Sequence, residues 1–151
     1  MRRDFNQSVV VLLGTTLLLA SGIWMLGAQQ QKQNPNFTGG KVTALDEKPE
    51  GNPAHFRFEP GARTKWHIHE RGQVVVVEEG VALEQEKGGP IIELHAGDSI
   101  YCPPGVAHWH GAAPDKGGTQ WNTSRGGIQW LEEVSDKEYT APTKRLQIPG
   151  R

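Results

Sequence analysis

The chain has 151 residues, a formal net charge of −1 and a single cysteine, Cys102. That length fits one domain. The near-neutral charge argues against nucleic acid or an anionic membrane surface as an electrostatic partner, and a lone cysteine excludes an intramolecular disulfide. The 19 glycines and 10 prolines, with no internal repeat, read as frequent turns between short strands.

The first 28 residues form a separate object. "MRRDFNQ" is short and basic, and Ser8 to Ala28 then runs without a charged residue through "VVVLL" and "TLLLA". A basic start, an apolar middle and small residues at Gly27–Ala28 resemble a secretory signal peptide. Arg2, Arg3 and Phe5 resemble the Arg-Arg-x-Phe core of a bacterial twin-arginine signal. The same run is long enough to span a bilayer, so an uncleaved inner-membrane anchor is the competing expectation. Gly14, Thr15, Thr16, Ser21 and Gly22 soften the segment and favour a signal, whereas Leu26-Gly27-Ala28 is only a fair cleavage site and favours an anchor. Both readings export the rest of the chain to the periplasm.

Residues 29–40 are rich in Gln, Asn and Gly and are expected to form a flexible linker. Residues 41–134 then alternate short apolar runs with turn clusters: "AHFRFEPG", "GQVVVVEEG", "VALEQEKGGP", "IIELHAGD", "DSIYCPPG", "AHWHGAAPDKGG", "TQWNTS" and "GIQWLEEV". Strands at such spacing predict an all-β sandwich or barrel, and no segment before residue 132 carries a convincing helical period. The tail, 135–151, is predicted to begin with a short helical turn at Ser135 that its prolines stop. Cys102, at a strand end, is expected to be a packed and inert thiol.

On a strand, residues two apart share a face. His67 and His69 in "KWHIHERGQVVVV" therefore face one way, with Trp66 and Ile68 opposite. Glu70, the nearest acid, points off the histidine face, whereas Gln73 shares its parity beyond the turn "ERG". In "HWHG", His108 and His110 face one way and Trp109 the other. Two such pairs could meet inside one barrel, and burying several unpaired imidazoles there would be costly without a ligand. His55 and His95 are expected to be ordinary surface histidines. Trp66, Trp109, Trp121 and Trp130 are expected to pack between strands or at a dimer contact.

Gly61 to Gly80, with His67-x-His69 and an oxygen ligand at Gln73, resembles the first motif of the cupin superfamily. Gly97 to His108, with Pro103-x-Gly105, resembles the second. The departures are Gln73 in place of the usual glutamate and Ala112 in place of the closing asparagine. "FEPGARTKWHIHERGQ" and "HWHGAAP" look most like small single-domain bacterial cupins that include manganese-dependent hydroxynitrile lyases, which also use glutamine. The resemblance implies a cupin jelly-roll (double-stranded β-helix) barrel and a metal held by His67, His69, Gln73 and His108. It also implies His110 as the nearby base and Thr64 at the substrate pocket. After Pro114 the resemblance weakens. Lyase-type members place a second pocket histidine and a glutamine where this chain has Gln120 and Ser124.

Three imidazoles and one amide oxygen are neutral, so a divalent ion keeps its full charge and becomes a stronger Lewis acid than a glutamate would allow. Mixed nitrogen and oxygen ligands suit Mn²⁺ or Fe²⁺, with Ni²⁺, Cu²⁺ or Zn²⁺ competing by affinity. The leading expectation is an enzyme that polarises a carbonyl or oxyanion of a small molecule, in lyase, isomerase or decarboxylase chemistry. The alternatives are a quercetinase-like dioxygenase and a non-catalytic periplasmic metal- or ligand-binding module. A homodimer or higher homo-oligomer is expected.

Overall fold

Val75 and Val77 are buried while Val74 and Val76 stand at the surface, the period-two signature of a strand with one face on a core. They belong to the longest strand of a computed structural model that describes residues 33–45 and 53–147. The expected signal or anchor at 1–28 lies outside the described residues, which all fall in the unit spanning Lys32–Arg151. In chain order the strands are β1 (Phe37–Thr38), β2 (Val42–Ala44), β3 (Pro53–Phe58), β4 (Arg63–Thr64), β5 (His67–His69) and β6 (Gln73–Glu86). There follow β7 (Ile91–His95), β8 (Ser99–Cys102), β9 (His108–Ala112), β10 (Gly118–Ser124) and β11 (Ile128–Trp130). A single helical turn, α1 (Asp136–Tyr139), and β12 (Thr143–Arg145) complete the order.

The architecture is an all-β, nearly closed barrel of two sheets that share β6. Its first half pairs antiparallel with β8 and β10, and β10 continues to β3 and β2. Its second half pairs with β7 and β9, and β9 continues to β4 and β5. The sequence pattern places a break at Gly80, yet β6 runs through it. Gly80 has φ of 80°, and a Cβ there would lie 2.1 Å from the carbonyl oxygen of Gly117. Only glycine lets the strand bend from one sheet into the other at that close approach.

Beyond Gly80 both faces of β6 are buried. Val81 and Leu83 pack with Trp66, Ile91 and Trp109 on one face, under Val134 and Tyr139. Ala82 turns the other way and packs with Val77 and Leu94. The outward tryptophans Trp66 and Trp109 are thus covered by the chain's own C-terminal segment. Ser135 caps α1 as expected: its Oγ accepts from the Glu138 amide and the Glu138 carboxylate accepts from the Ser135 amide. The parallel pairing of β12 with β7 was not anticipated, because Thr143, Lys144 and Arg145 are all exposed.

Within the stretch expected to be a linker, Phe37–Thr38 form β1 and pair with β4. This corrects the linker expectation for these residues. Phe37 packs against the rings of Phe56 at 5.6 Å and Phe58 at 5.9 Å, and that burial orders a short segment whose neighbours are polar. Among the described residues no helix is long and apolar enough to cross a membrane.

Candidate metal centre

Strand alternation carries the first two histidines inward. In β5, His67 and His69 are buried on either side of a half-buried Ile68. His67 is the register partner of His108 in β9, so the two inward faces meet. Gln73 opens β6 directly after Gly72, whose φ is 77° and whose Cβ would press on the Cys102 carbonyl at 2.8 Å. That turn returns the chain to the same interior. The ring centroids of His67 and His108 lie 4.4 Å apart, and those of His67 and His69 lie 5.1 Å apart. One nitrogen from each of His67, His69 and His108 lies within 4.8 Å of the others.

Hydrogen bonding fixes which nitrogens are available. Nδ1 of His67 lies 2.9 Å from the Lys65 carbonyl, and Nδ1 of His108 lies 3.1 Å from the Val106 carbonyl. A carbonyl only accepts, so both Nδ1 atoms carry the proton and both Nε2 atoms present lone pairs. Burial, followed by the neighbouring His108, lowers His67 to about 3 and His69 to about 4. His108 is lowered by burial as well. All three are therefore neutral at physiological pH.

Two features test whether these residues fit a metal. Oε1 of Gln73 lies 2.9 Å from the unprotonated Nε2 of His108, a contact relieved either by a cation between the two atoms or by turning the Gln73 amide over. Both ring nitrogens of His69 are buried without a hydrogen-bond partner, which is expensive in a folded interior. A cation held among these atoms resolves both, and the donor set suits a divalent ion.

His110 stands beside this cluster, its ring 5.4 Å from that of His67. Its Nδ1 lies 3.0 Å from Oε1 of Gln120, and Nε2 of Gln120 donates to the Gly111 carbonyl at 2.8 Å. The Gly111 carbonyl decides the orientation of the amide, so Gln120 offers oxygen to His110. His110 therefore holds its proton on Nδ1 and leaves Nε2 unprotonated. Burial, with His67 and His108 nearby, pushes its pKa well below the ordinary histidine value. The Thr64 hydroxyl accepts from the His110 backbone amide at 3.1 Å and keeps its own proton to donate.

These groups open on a cavity of about 190 Å³. Thr64, His67, His69, Gln73, His110 and Asn122 are among its polar lining, and Phe37, Phe56 and Trp130 are among its apolar walls. Trp130 packs edge-on to Phe37 at 6.4 Å and is also a cavity wall, with its ring 4.9 Å from that of His67. Trp121 stacks on His55 at 3.8 Å, and His55 pairs with Glu78 at 2.7 Å. His95 is exposed and pairs with Glu93. The bond of Gln120 to His110 was not foreseen, although the parity of Gln120, Asn122 and Ser124 in β10 marks one shared face. Cys102 is buried and donates to Glu84 at 3.5 Å, with burial raising its thiol pKa, as an inert thiol requires.

The Cupin domain family matches residues 54–121. An (R)-mandelonitrile lyase from Granulicella tundricola is 42% identical over 124 residues, 76% of this chain and 95% of that protein. The chain belongs to the cupin superfamily. A crystal structure of a cupin-like protein from Thermotoga maritima is similar to this cupin at 41% identity. That match covers 68% of this chain and 84% of the other, with a TM-score of 0.57. The polyketide cyclase RemF from Streptomyces resistomycificus shares the fold at 21% identity, covering 72% of this cupin and 81% of its own chain, with a TM-score of 0.52.

Proposed function

We propose that this cupin is a divalent-metal-dependent lyase that cleaves small cyanohydrin-type substrates to a carbonyl compound and cyanide. The observation that carries the proposal is His110. It is a neutral imidazole with its proton held on Nδ1 by Gln120 and its Nε2 unprotonated, beside a cluster of converging ligand lone pairs. The similarity to a protein named (R)-mandelonitrile lyase supports the choice of substrate class.

His67, His69, Gln73 and His108 would hold the ion, with Mn²⁺ or Fe²⁺ favoured by the nitrogen and oxygen donor set. Bound there, it supplies Lewis acidity toward a substrate oxygen, undiminished because all four ligands are neutral. His110 Nε2 takes the substrate hydroxyl proton. The carbon–carbon bond to the nitrile then breaks as the carbonyl forms, and His110 returns the proton to the departing cyanide. Thr64 donates its hydroxyl proton to the substrate, and the aromatic walls exclude water from the reacting atoms.

Gln120 supports His110 in this chain, where lyase-type relatives are expected to carry a histidine. Export to the periplasm is part of the proposal and rests on the basic and apolar start of the sequence. Self-association is also proposed, resting on Val74 and Tyr101, register partners that both stand exposed.

The test is incubation of the metal-loaded protein with mandelonitrile while cyanide, benzaldehyde and dissolved oxygen are followed together. The proposal expects equal cyanide and benzaldehyde, above the spontaneous rate, with no oxygen uptake. His110→Ala should lower the rate by about 100-fold or more. Oxygen consumption would point instead to the dioxygenase. Retained metal without turnover of any substrate would point to a binding module.

A further inference from the structure

Asn122 is 4% exposed, and neither its amide nitrogen nor its amide oxygen has a hydrogen-bond partner. Buried polar groups are nearly always paired, so each exception calls for an explanation. Its register partners on the flanking strands are Ala54 and Val75, whose side chains neither donate nor accept. The strand itself is no obstacle: Gln120, two residues earlier on the same face, has both ends of its amide bonded. Asn122 lines the cavity, and although both amide atoms are shielded as the side chain stands, a turn of the side chain toward the cavity would give them a partner there.

The cavity narrows what Asn122 can meet. Among the described residues no Lys, Arg, Asp or Glu lines it, so a second charged group on a ligand would find no counter-charge among them. A carboxamide both donates and accepts, which complements a neutral group that does the same, namely a hydroxyl or a primary amide. An apolar cavity of about 150 Å³ takes up benzene, so one of about 190 Å³ has room for a ring with short substituents. Phe56 and Trp130 offer flat walls for such a ring.

We propose that Asn122 is a specificity-determining residue that recognises a second, neutral polar group on the substrate. The substrate class is then a small aromatic carbonyl compound, or its cyanohydrin, carrying a ring hydroxyl or primary amide in addition to the oxygen that reacts. This rests on the lyase reading for the reacting end only; the second contact is independent of it.

The test is calorimetric titration of the full, Mn²⁺-loaded chain with benzaldehyde, the three hydroxybenzaldehydes and their methyl ethers, at a pH where the phenols are neutral. At least one hydroxylated isomer should bind about tenfold more tightly than benzaldehyde, the size of one satisfied hydrogen bond. Its methyl ether, which cannot donate, should lose that advantage without any change to the protein. Asn122→Leu should abolish the preference and leave benzaldehyde affinity within about twofold. The proposal is overturned if every isomer binds like benzaldehyde, or if the preference survives in Asn122→Leu; a bound water would then be what satisfies the amide. Binding of the hydroxylated probe without binding of benzaldehyde would support the role of Asn122 and count against the carbonyl reading. If no aldehyde binds, both fall.

Discussion

Gln120 grips His110 through Nδ1 at 3.0 Å, and the carbonyl of Gly111, 2.8 Å from the other end of the same amide, keeps Gln120 from turning over. One rigid contact therefore selects the tautomer of the proposed base. Gln120→Leu removes the acceptor and frees the ring to rotate or exchange its proton. A loss in kcat of about 10- to 100-fold, with KM changed far less, is the expected outcome. Steady-state kinetics on mandelonitrile would show it, and Gln120→Glu, which keeps an acceptor, should retain more activity than Gln120→Leu. Equal losses in kcat and in folding stability would reduce Gln120 to a packing role.

Gln73 is neutral, and its oxygen faces Nε2 of His108 at 2.9 Å. In Gln73→Glu a carboxylate occupies that point. Metal should be held at least as firmly, but the ion's net charge falls and its polarising power with it, so kcat should drop about tenfold. Elemental analysis and kinetics on the same preparation separate the two effects. A variant as active as the parent would show that the neutral ligand has no catalytic purpose.

Arg63 ties the C-terminal segment to the barrel. Its Nε and Nη2 donate to the Val134 carbonyl at 3.3 and 3.0 Å, and its guanidinium lies 4.4 Å from the centre of the Tyr139 ring. Nη2 also pairs with Asp136 at 2.6 Å, but the Asp136 side chain is 93% exposed. The buried carbonyl should therefore matter more than the ion pair. Arg63→Met is expected to cost about 2 kcal/mol by leaving the Val134 carbonyl unpaired, whereas Asp136→Ala should cost about 0.5 kcal/mol or less. Urea unfolding of the two variants decides the order.

Glu84 is 1% exposed, and burial raises its carboxyl from 4.5 to about 7. Between those values the folded chain holds a proton that the unfolded chain has released. The contribution to stability is complete below pH 4.5 and is lost as pH rises through about 7. Glu84→Gln has no such titration. Its advantage over the parent should be small at pH 4.5 and grow to the order of 3 kcal/mol by about pH 8. The shifts of His67 and His69 run the opposite way, their stability being lost as pH falls from 6.5 toward about 3 and 4. They are common to both proteins and cancel in the difference. Urea unfolding of the metal-free proteins across this range is the measurement.

The inward facing of His67, His69, His108 and His110 was legible because strand parity is a local property, and two alternating pairs repeat it. Gln73 was legible through its spacing from the first pair. Gly80 misled because a glycine that ends a strand and one that bends it look alike until Gly117 is seen against it. Phe37 was hidden among Gln, Asn and Gly, and its strand exists only because Phe56 and Phe58 receive its ring. β12 carries no apolar signal, since all three of its residues face solvent. The bond from Gln120 to His110 joins β10 to β9, and no pattern within either strand announces it. The empty hydrogen-bonding capacity of Asn122 likewise appears only once Ala54 and Val75 are known to flank it.

The metal centre is tested most directly by the metal content of the purified protein beside that of His69→Ala. His69 has no other bonding partner to explain its burial, so its loss should leave the fold intact while emptying the site. The expected result is one divalent ion per parent chain and less than about a tenth of that in the variant, with unchanged circular dichroism. Full metal occupancy in His69→Ala, or a parent that binds none of Mn²⁺, Fe²⁺, Ni²⁺, Cu²⁺ and Zn²⁺, would contradict the metal centre and the chemistry proposed on it.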